Sequence, residues 1–194
     1  MQPSDEYLIQ KAREEDRSTF EELYNRYKKA IFGYIYRLIG DKAVAEELTQ
    51  ETFVKVYMNL ARYRPEGKVS SWIYTIAGNL AKNELRSRGY RKTVSLEVTV
   101  SDDERITIGD MLADESFKPD DITQNEELKQ DIQKAIQMLP VKYREVLILC
   151  DVQSLSYDSV AEIIGSTIGT VASRLSRARA AFVKIFRENF GDRT

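Results

Sequence analysis

The sequence predicts an all-α protein made of two small helical domains joined by an acidic flexible linker. Three observations support this. Only nine glycines and four prolines occur in 194 residues, of which 31% are charged, a composition that favours helix. Apolar residues recur at three- and four-residue steps in two blocks, one before residue 90 and one after residue 122, the spacing of an amphipathic helix. The stretch between the blocks has neither a helical period nor enough apolar content for a core.

Taken in order, the first helical period runs through Phe20, Leu23, Tyr24, Tyr27, Ile31, Tyr34, Ile35 and Leu38, and Gly40 ends it. A second helix is expected from about Ala43 to Leu60, with Ala45, Leu48, Thr49, Phe53, Val56 and Leu60 as its core stripe. The segment from Arg62 to Ser70 holds Pro65 and Gly67 and reads as a polar loop. A third helix, from about Ser71 to Arg88, turns Ile73, Ile76, Ala77 and Leu80 inward. These elements form a first domain over residues 1–92, and residues 93–122 form the tether. Helical period returns at Thr123, passes through Leu128, Ile132, Ile136 and Leu139, and breaks at Pro140. The apolar run from Val146 to Cys150 follows, and then two short helices around a Gly165-Ser166-Thr167 turn. This second domain, residues 123–194, is within the size range that folds alone.

Net charge is only −2, but the charge is segregated along the chain. Arg62, Arg64, Lys68, Lys82, Arg86, Arg88, Arg91 and Lys92 face only Glu66 and Glu84. From Glu97 to Asp131, twelve carboxylates oppose Arg105, Lys118 and Lys129. The order is basic, acidic, basic. There is no histidine and one cysteine, Cys150, so disulfides, the usual zinc ligand sets and histidine acid–base chemistry all lack their parts. Cys150, within an apolar run, is expected to be a core residue. No metal or cofactor is expected. The opening MQPSDEYLIQKAREED has no apolar signal region, and no segment approaches the roughly 18 apolar residues of a membrane span. A cytoplasmic protein without membrane insertion is expected.

Three faces carry candidate functional residues. In the last helix Val171, Leu175, Ala178, Phe182 and Phe186 fall on one apolar stripe, opposite Ala172, Ser173, Ser176, Arg177, Ala180 and Lys184. Arg174 and Arg179 flank that small-residue side, and no acidic residue occurs from Ile168 to Arg187. This layout fits a helix-turn-helix that reads duplex DNA, and read alone it also fits a solvated cationic helix end. In the second helix Glu47, Gln50, Glu51, Val54 and Met58 lie opposite the core stripe, as either a docking surface or an ordinary solvated face. In the third helix Trp72, Thr75, Asn79, Asn83 and Arg86 align, with Lys82 beside them and Tyr63, Arg64 and Lys68 in the preceding loop. An aromatic ring, amides and cations are the groups that hold single-stranded DNA with its bases unstacked. Trp72 fits equally a core tryptophan at a helix start.

With these faces described, the chain resembles bacterial RNA polymerase sigma factors of the extracytoplasmic-function group, over nearly its whole length. AEELTQETFVKVYMNL resembles the family's polymerase-clamp segment, KVSSWIYTIAGNLAKNELR its minus-ten segment, and LPVKYREVLIL with the helix-turn-helix its minus-thirty-five domain. The order and spacing of the three are more specific than any one. The resemblance implies a protein that does no chemistry but directs core RNA polymerase to promoters and helps melt them. Glu47, Gln50, Glu51, Val54 and Met58 would then meet the clamp helices of the polymerase β′ subunit, with the β flap as a further contact. Arg64, Lys68, Trp72, Thr75, Asn79, Lys82, Asn83 and Arg86 would bind minus-ten DNA. Thr170, Ala172, Ser173, Arg174, Ser176, Arg177 and Arg179 would face the minus-thirty-five duplex. With no inhibitory N-terminal domain read from the sequence, a separate anti-sigma factor is expected to provide stress-responsive control.

The chain departs from the family pattern at two positions. Ala172 stands where the family usually has Lys or Arg, and Thr167 where proline often starts the recognition helix. The competing function is a free-standing helix-turn-helix regulator that binds duplex DNA without polymerase, which leaves Trp72, Asn79 and Asn83 unexplained. An enzyme acting on nucleic acid would need a carboxylate cluster on a rigid element, whereas the carboxylates here concentrate in the tether.

Overall fold

The structure, a computed structural model, describes residues 3–14, 17–63, 67–89 and 122–191. Among the described residues no strand occurs, and the chain divides into two compact units. The expected tether lies outside the described residues except for its last position.

The first unit contains α1 (Asp5–Arg13), α2 (Arg17–Ile39), α3 (Lys42–Met58), a 3-10 turn (Leu60–Arg62) and α4 (Val69–Ser87). Helix α2 is central and touches α1, α3 and α4. Its Leu23, Ile31, Tyr34, Ile35 and Leu38 are fully buried. Gly40 ends it with φ at 85°, where only glycine sits without strain. Asp41 then opens α3, its carboxylate accepting from the Val44 N–H at 3.2 Å. That hydrogen bond, before Arg88, is what holds the Asp41 carboxyl below its ordinary pKa. Arg88 also reaches Asp41 at 3.4 Å, tying the end of α4 to the start of α3.

Helix α3 buries Ala45, Leu48, Thr49, Phe53 and Val56, together with Thr52. The two threonine hydroxyls donate to the carbonyls of Ala45 and Leu48 at 2.6 and 2.7 Å, so neither is buried without a partner. Helix α4 buries Val69, Ile73, Tyr74, Ala77, Gly78, Ala81 and Leu85, while Ile76 and Leu80, expected inward, are half-buried. Small residues at 77, 78 and 81 let the helix axis approach its neighbours closely, so the contact line runs along them and the larger isoleucine and leucine fall to its flank.

Helix α1 was not anticipated from periodicity. Ser4 caps it by accepting from the Tyr7 N–H at 3.2 Å, and Leu8, Ile9 and Ala12 enter the core. Asp5 anchors its start by accepting from the Arg26 guanidinium and the Tyr27 hydroxyl of α2.

The second unit contains α5 (Ile122–Met138), α6 (Val141–Leu147) widening into a π turn (Ile148–Val152), α7 (Tyr157–Ile164) and α8 (Ile168–Phe190). Val171, Leu175, Ala178, Ala181, Phe182, Ile185 and Phe186 form the inward stripe of α8, which packs on α5 and α6. Pro140 separates α5 from α6, and the buried Arg144 bridges the break. Its guanidinium donates to Gln137 Oε1 and to the Leu139 carbonyl, both at 2.9 Å, and to the Gln137 carbonyl. It thus satisfies carbonyls that the end of α5 leaves without helical partners. In the π turn the Gln153 N–H reaches the Ile148 carbonyl at 2.9 Å, five residues back. Cys150, expected in the core, is half-buried in this turn, and burial pushes its thiol up to about 11.

Candidate functional site

The helix-turn-helix is set by local hydrogen bonding. Gly165 takes φ of 62° at the end of α7 and donates to the Glu162 carbonyl at 3.3 Å, while the Ser166 N–H reaches the Ala161 carbonyl at 2.9 Å. This is a Schellman stop that only glycine forms without strain. Thr167 then caps α8, its Oγ1 accepting from the Thr170 N–H at 3.2 Å. A hydroxyl in that position does the work that proline's fixed φ does elsewhere, so Thr167 is a sound helix start.

Beyond the cap, Ala172, Ser173, Ser176, Arg177 and Lys184 are exposed, and Thr170, Arg174 and Ala180 are half-buried on the flanks. The Ser173 hydroxyl donates to the Thr170 carbonyl at 3.1 Å. Arg177 has no hydrogen-bond or ion-pair partner among the described residues. Arg179, grouped with the outward cations by sequence, is placed differently. Its Nε and Nη2 donate to Asp151 Oδ2 and Oδ1 at 3.0 and 2.6 Å, and the Asp151 side chain is only 2% exposed. The π turn carries Asp151 to this helix. The guanidinium therefore holds α8 against the π turn, an engagement that Arg177 lacks among the described residues.

In the first unit, α4 brings together most of the expected single-strand face. Asn79, Asn83 and Arg86 are exposed, and Trp72, Thr75 and Lys82 are half-buried. Their chemistry is not equivalent. The Thr75 hydroxyl donates to the Ser71 carbonyl at 2.8 Å, and Asn83 Oδ1 accepts from Arg86 at 2.5 Å. The Asn79 amide has no partner among the described residues, so both its donors and its acceptor are available to a base edge. Trp72 leans at 44° against Tyr63, ring centroids 5.2 Å apart, and keeps part of its surface open. Lys68 is exposed immediately before α4. Arg64 lies outside the described residues. Tyr63, which the sequence offers with Arg64 and Lys68 from the preceding loop, is instead 7% exposed, and its hydroxyl donates to the Gly67 carbonyl at 2.6 Å.

The outer face of α3 is unusually apolar. Val54 is 54% exposed and Met58 77%, with Glu47 and Gln50 exposed around them. Glu51 is partly spent on Lys55, 3.3 Å away. Tyr57, which the sequence reading did not single out, extends the strip at 47% exposure and rests edge-on against Phe20 at 5.0 Å. Three large apolar side chains are thus open to solvent over consecutive turns of one helix. Among the described residues no cluster of potential metal ligands occurs, and no helix is long and apolar enough to cross a membrane.

Comparison with known proteins matches both halves of the chain. Residues 23–91 match Sigma-70 region 2, and residues 129–182 match Sigma-70, region 4. The chain is 34% identical to the RNA polymerase sigma-H factor of Pseudomonas aeruginosa over 94% of each protein. It is 31% identical to the ECF RNA polymerase sigma factor SigW of Bacillus subtilis, over 93% of this chain and 95% of that protein. Among solved structures, CnrH in complex with the cytosolic domain of CnrY has the same fold, with a TM-score of 0.70 at 17% identity over 96% of this chain and 99% of that one. The sigma factor RpoE in complex with the anti-sigma factor NepR from Bartonella quintana gives 0.62 at 24% identity, over 88% and 98% respectively.

Proposed function

We propose, for a chain that belongs to the extracytoplasmic-function group of RNA polymerase sigma factors, a division of labour among three helices. As a sigma factor it confers promoter specificity on core RNA polymerase at transcription initiation. The outer face of α3, with Glu47, Gln50, Glu51, Val54 and Met58 extended by Tyr57, docks on the β′ clamp helices, and the β flap meets the second unit. Asn79 reads a base turned out of the minus-ten duplex, with Lys68, Trp72, Lys82 and Arg86 holding the strand. Arg177, with Ser173, Ser176 and Ala172, reads the minus-thirty-five major groove, and Arg174 approaches phosphate. Arg179 leaves this set.

The observation that carries the reading is the Asn79 amide, exposed and without a partner among the described residues on a helix bordered by cations, in a chain that also carries a separate helix-turn-helix. A regulator of duplex DNA has no use for the first. The carboxylates Glu47 and Glu51 beside exposed apolar side chains suit a basic protein surface rather than DNA.

The sigma factor RpoE, solved in complex with the anti-sigma factor NepR, suggests that this chain too is held by an anti-sigma factor. An apolar strip such as Val54, Tyr57 and Met58 would be covered in that state. Action on bacterial core polymerase implies a cytoplasmic location.

Adding the full chain to core RNA polymerase on genomic templates should give promoter-specific transcripts. Glu51→Ala combined with Gln50→Ala should weaken association with the enzyme. Specific duplex binding with no polymerase-dependent transcripts would instead identify a free-standing regulator.

A further inference from the structure

Helix α8 runs for 23 residues, and its proposed reader of the minus-thirty-five groove, Arg177, sits well along it. Thr167 fixes only the start of the helix. Arg177 lies ten residues beyond that cap, about 15 Å along the axis at roughly 1.5 Å per residue. A tilt of about 10° about the cap would carry Arg177 by about 2–3 Å, most of the roughly 3.4 Å between successive bases on one strand. The apolar stripe holds α8 against α5 and α6, but apolar packing is non-directional and resists such a tilt less than a bonded pair does.

A second constraint acts farther along the helix. The Arg179 guanidinium meets both oxygens of Asp151, 3.0 and 2.6 Å away, in a bidentate arrangement with a defined direction. Asp151 is a firm anchor. Its side chain is 2% exposed, and it rides on a π turn whose Ile148 and Leu149 are fully buried. The Gln153 N–H closes that turn on the Ile148 carbonyl at 2.9 Å, and the Leu155 N–H reaches the Leu149 carbonyl at 3.0 Å. Arg177 precedes Arg179 by two residues, a rotation of about 200° around the helix. Pinning Arg179 inward thus points Arg177 outward, where it is exposed.

We infer that Asp151 and Arg179 are positioning residues for minus-thirty-five recognition: the pair sets the tilt and rotation of α8 that bring Arg177 to its base pair, although neither member of the pair reads DNA. The inference rests on the proposed reading of that groove by Arg177. It gives the buried carboxylate a role beyond stability, since an apolar pair of similar size would hold the core together with no preferred direction.

The test uses the full chain in holoenzyme with core polymerase. Affinity is measured on the parent promoter and on templates substituted at single minus-thirty-five positions, alongside amide exchange in peptides spanning residues 141–190. Two changes separate position from stability. Arg179→Lys keeps the charge but lacks the planar fork, and Asp151→Leu with Arg179→Met replaces the pair by apolar side chains. Each should lower discrimination about tenfold, within the worth of a single base contact, at the one position that Arg177→Ala also affects. The apolar double variant should do so while keeping the exchange protection that Arg179→Met alone loses. Adding Arg177→Ala to Arg179→Lys should cost little more than Arg177→Ala alone, because both act through one contact. Parental discrimination in either variant, while Arg177→Ala loses its own, would overturn the positioning role and leave groove reading by Arg177 standing. Equal weakening on every template would also overturn it, by showing a merely structural effect or a direct phosphate contact. Discrimination that survives Arg177→Ala would remove the reading on which the inference is built.

Discussion

The ion pair between Asp151 and Arg179 sets this arginine apart from the cations proposed to read DNA, and its two partners should respond unequally to mutation. Asp151 is 2% exposed at its side chain and Arg179 is 28% exposed. Arg179→Met leaves a carboxylate in the core with no counter-charge and without two charge-assisted hydrogen bonds, a change that costs about 3–5 kcal/mol. Asp151→Asn is milder, at about 1–2 kcal/mol, because the amide oxygen still accepts one bond and the guanidinium retains access to water. Asp151→Leu with Arg179→Met should recover much of the loss, since a buried pair replaced by apolar groups of similar size is often close to neutral. Amide hydrogen exchange on the full chain, read in peptides spanning residues 141–190, isolates this unit from the other. The same variants are then titrated against minus-thirty-five duplex across salt. Under conditions where it stays folded, Arg179→Met should leave the log–log salt slope unchanged, whereas loss of a phosphate contact lowers it by about one. A slope lowered by one with exchange protection intact would refute the reasoning and return Arg179 to the DNA face.

Ala172→Lys should raise affinity for scrambled and specific duplex alike and steepen the salt slope by about one, while Arg177→Ala should cost about 1–3 kcal/mol at the specific site alone; an unchanged slope for Ala172→Lys would mean that this position does not face the backbone. Ser154 sits at φ of 53° just after the π turn, so Ser154→Gly should stabilise the second unit by about 0.5–1 kcal/mol, the side-chain strain removed less the flexibility gained by the unfolded chain, and a loss of exchange protection would contradict this. Burial holds the Tyr74 phenol at about 12 and raises Tyr27 above its ordinary value, with the Asp5 hydrogen bond second for Tyr27. Unfolded tyrosine ionises near 10, so this stability is present below about pH 10 and lost as pH rises towards 12. Phenolate absorbance followed with helicity should show the buried tyrosines ionising only as the chain unfolds, and free ionisation near pH 10 in a folded chain would exclude the burial.

What the sequence determined by itself is whatever a single helix determines. Rotation of about 100° per residue puts Val171, Leu175, Ala178, Phe182 and Phe186 on one side and Ser173, Ser176 and Arg177 on the other, whatever else the chain does. The same rule placed Asn79 and Asn83 outward on α4, and Val54 and Met58 outward on α3. Gly40 and Gly165 announced their helix ends because their positive φ is a local requirement. Helix α1 escaped notice because nine residues give only about two and a half turns of period, although Ser4 before Asp5 and Glu6 is a legible cap signal.

Tertiary structure decided which polar groups on those faces are free. Arg177 and Arg179 are two residues apart and alike in type, but a π turn 28 residues upstream brings Asp151 to one of them. Arg13, at the end of α1, donates to carbonyls some fifty residues away. The retreat of Ile76 and Leu80 from the core depends likewise on how closely α4 can approach its neighbours. Helical phase is a property of consecutive backbone bonds, so it can be read along the chain. The partners of a side chain depend on which distant segments packing brings within 3 Å or so, and no local pattern encodes that.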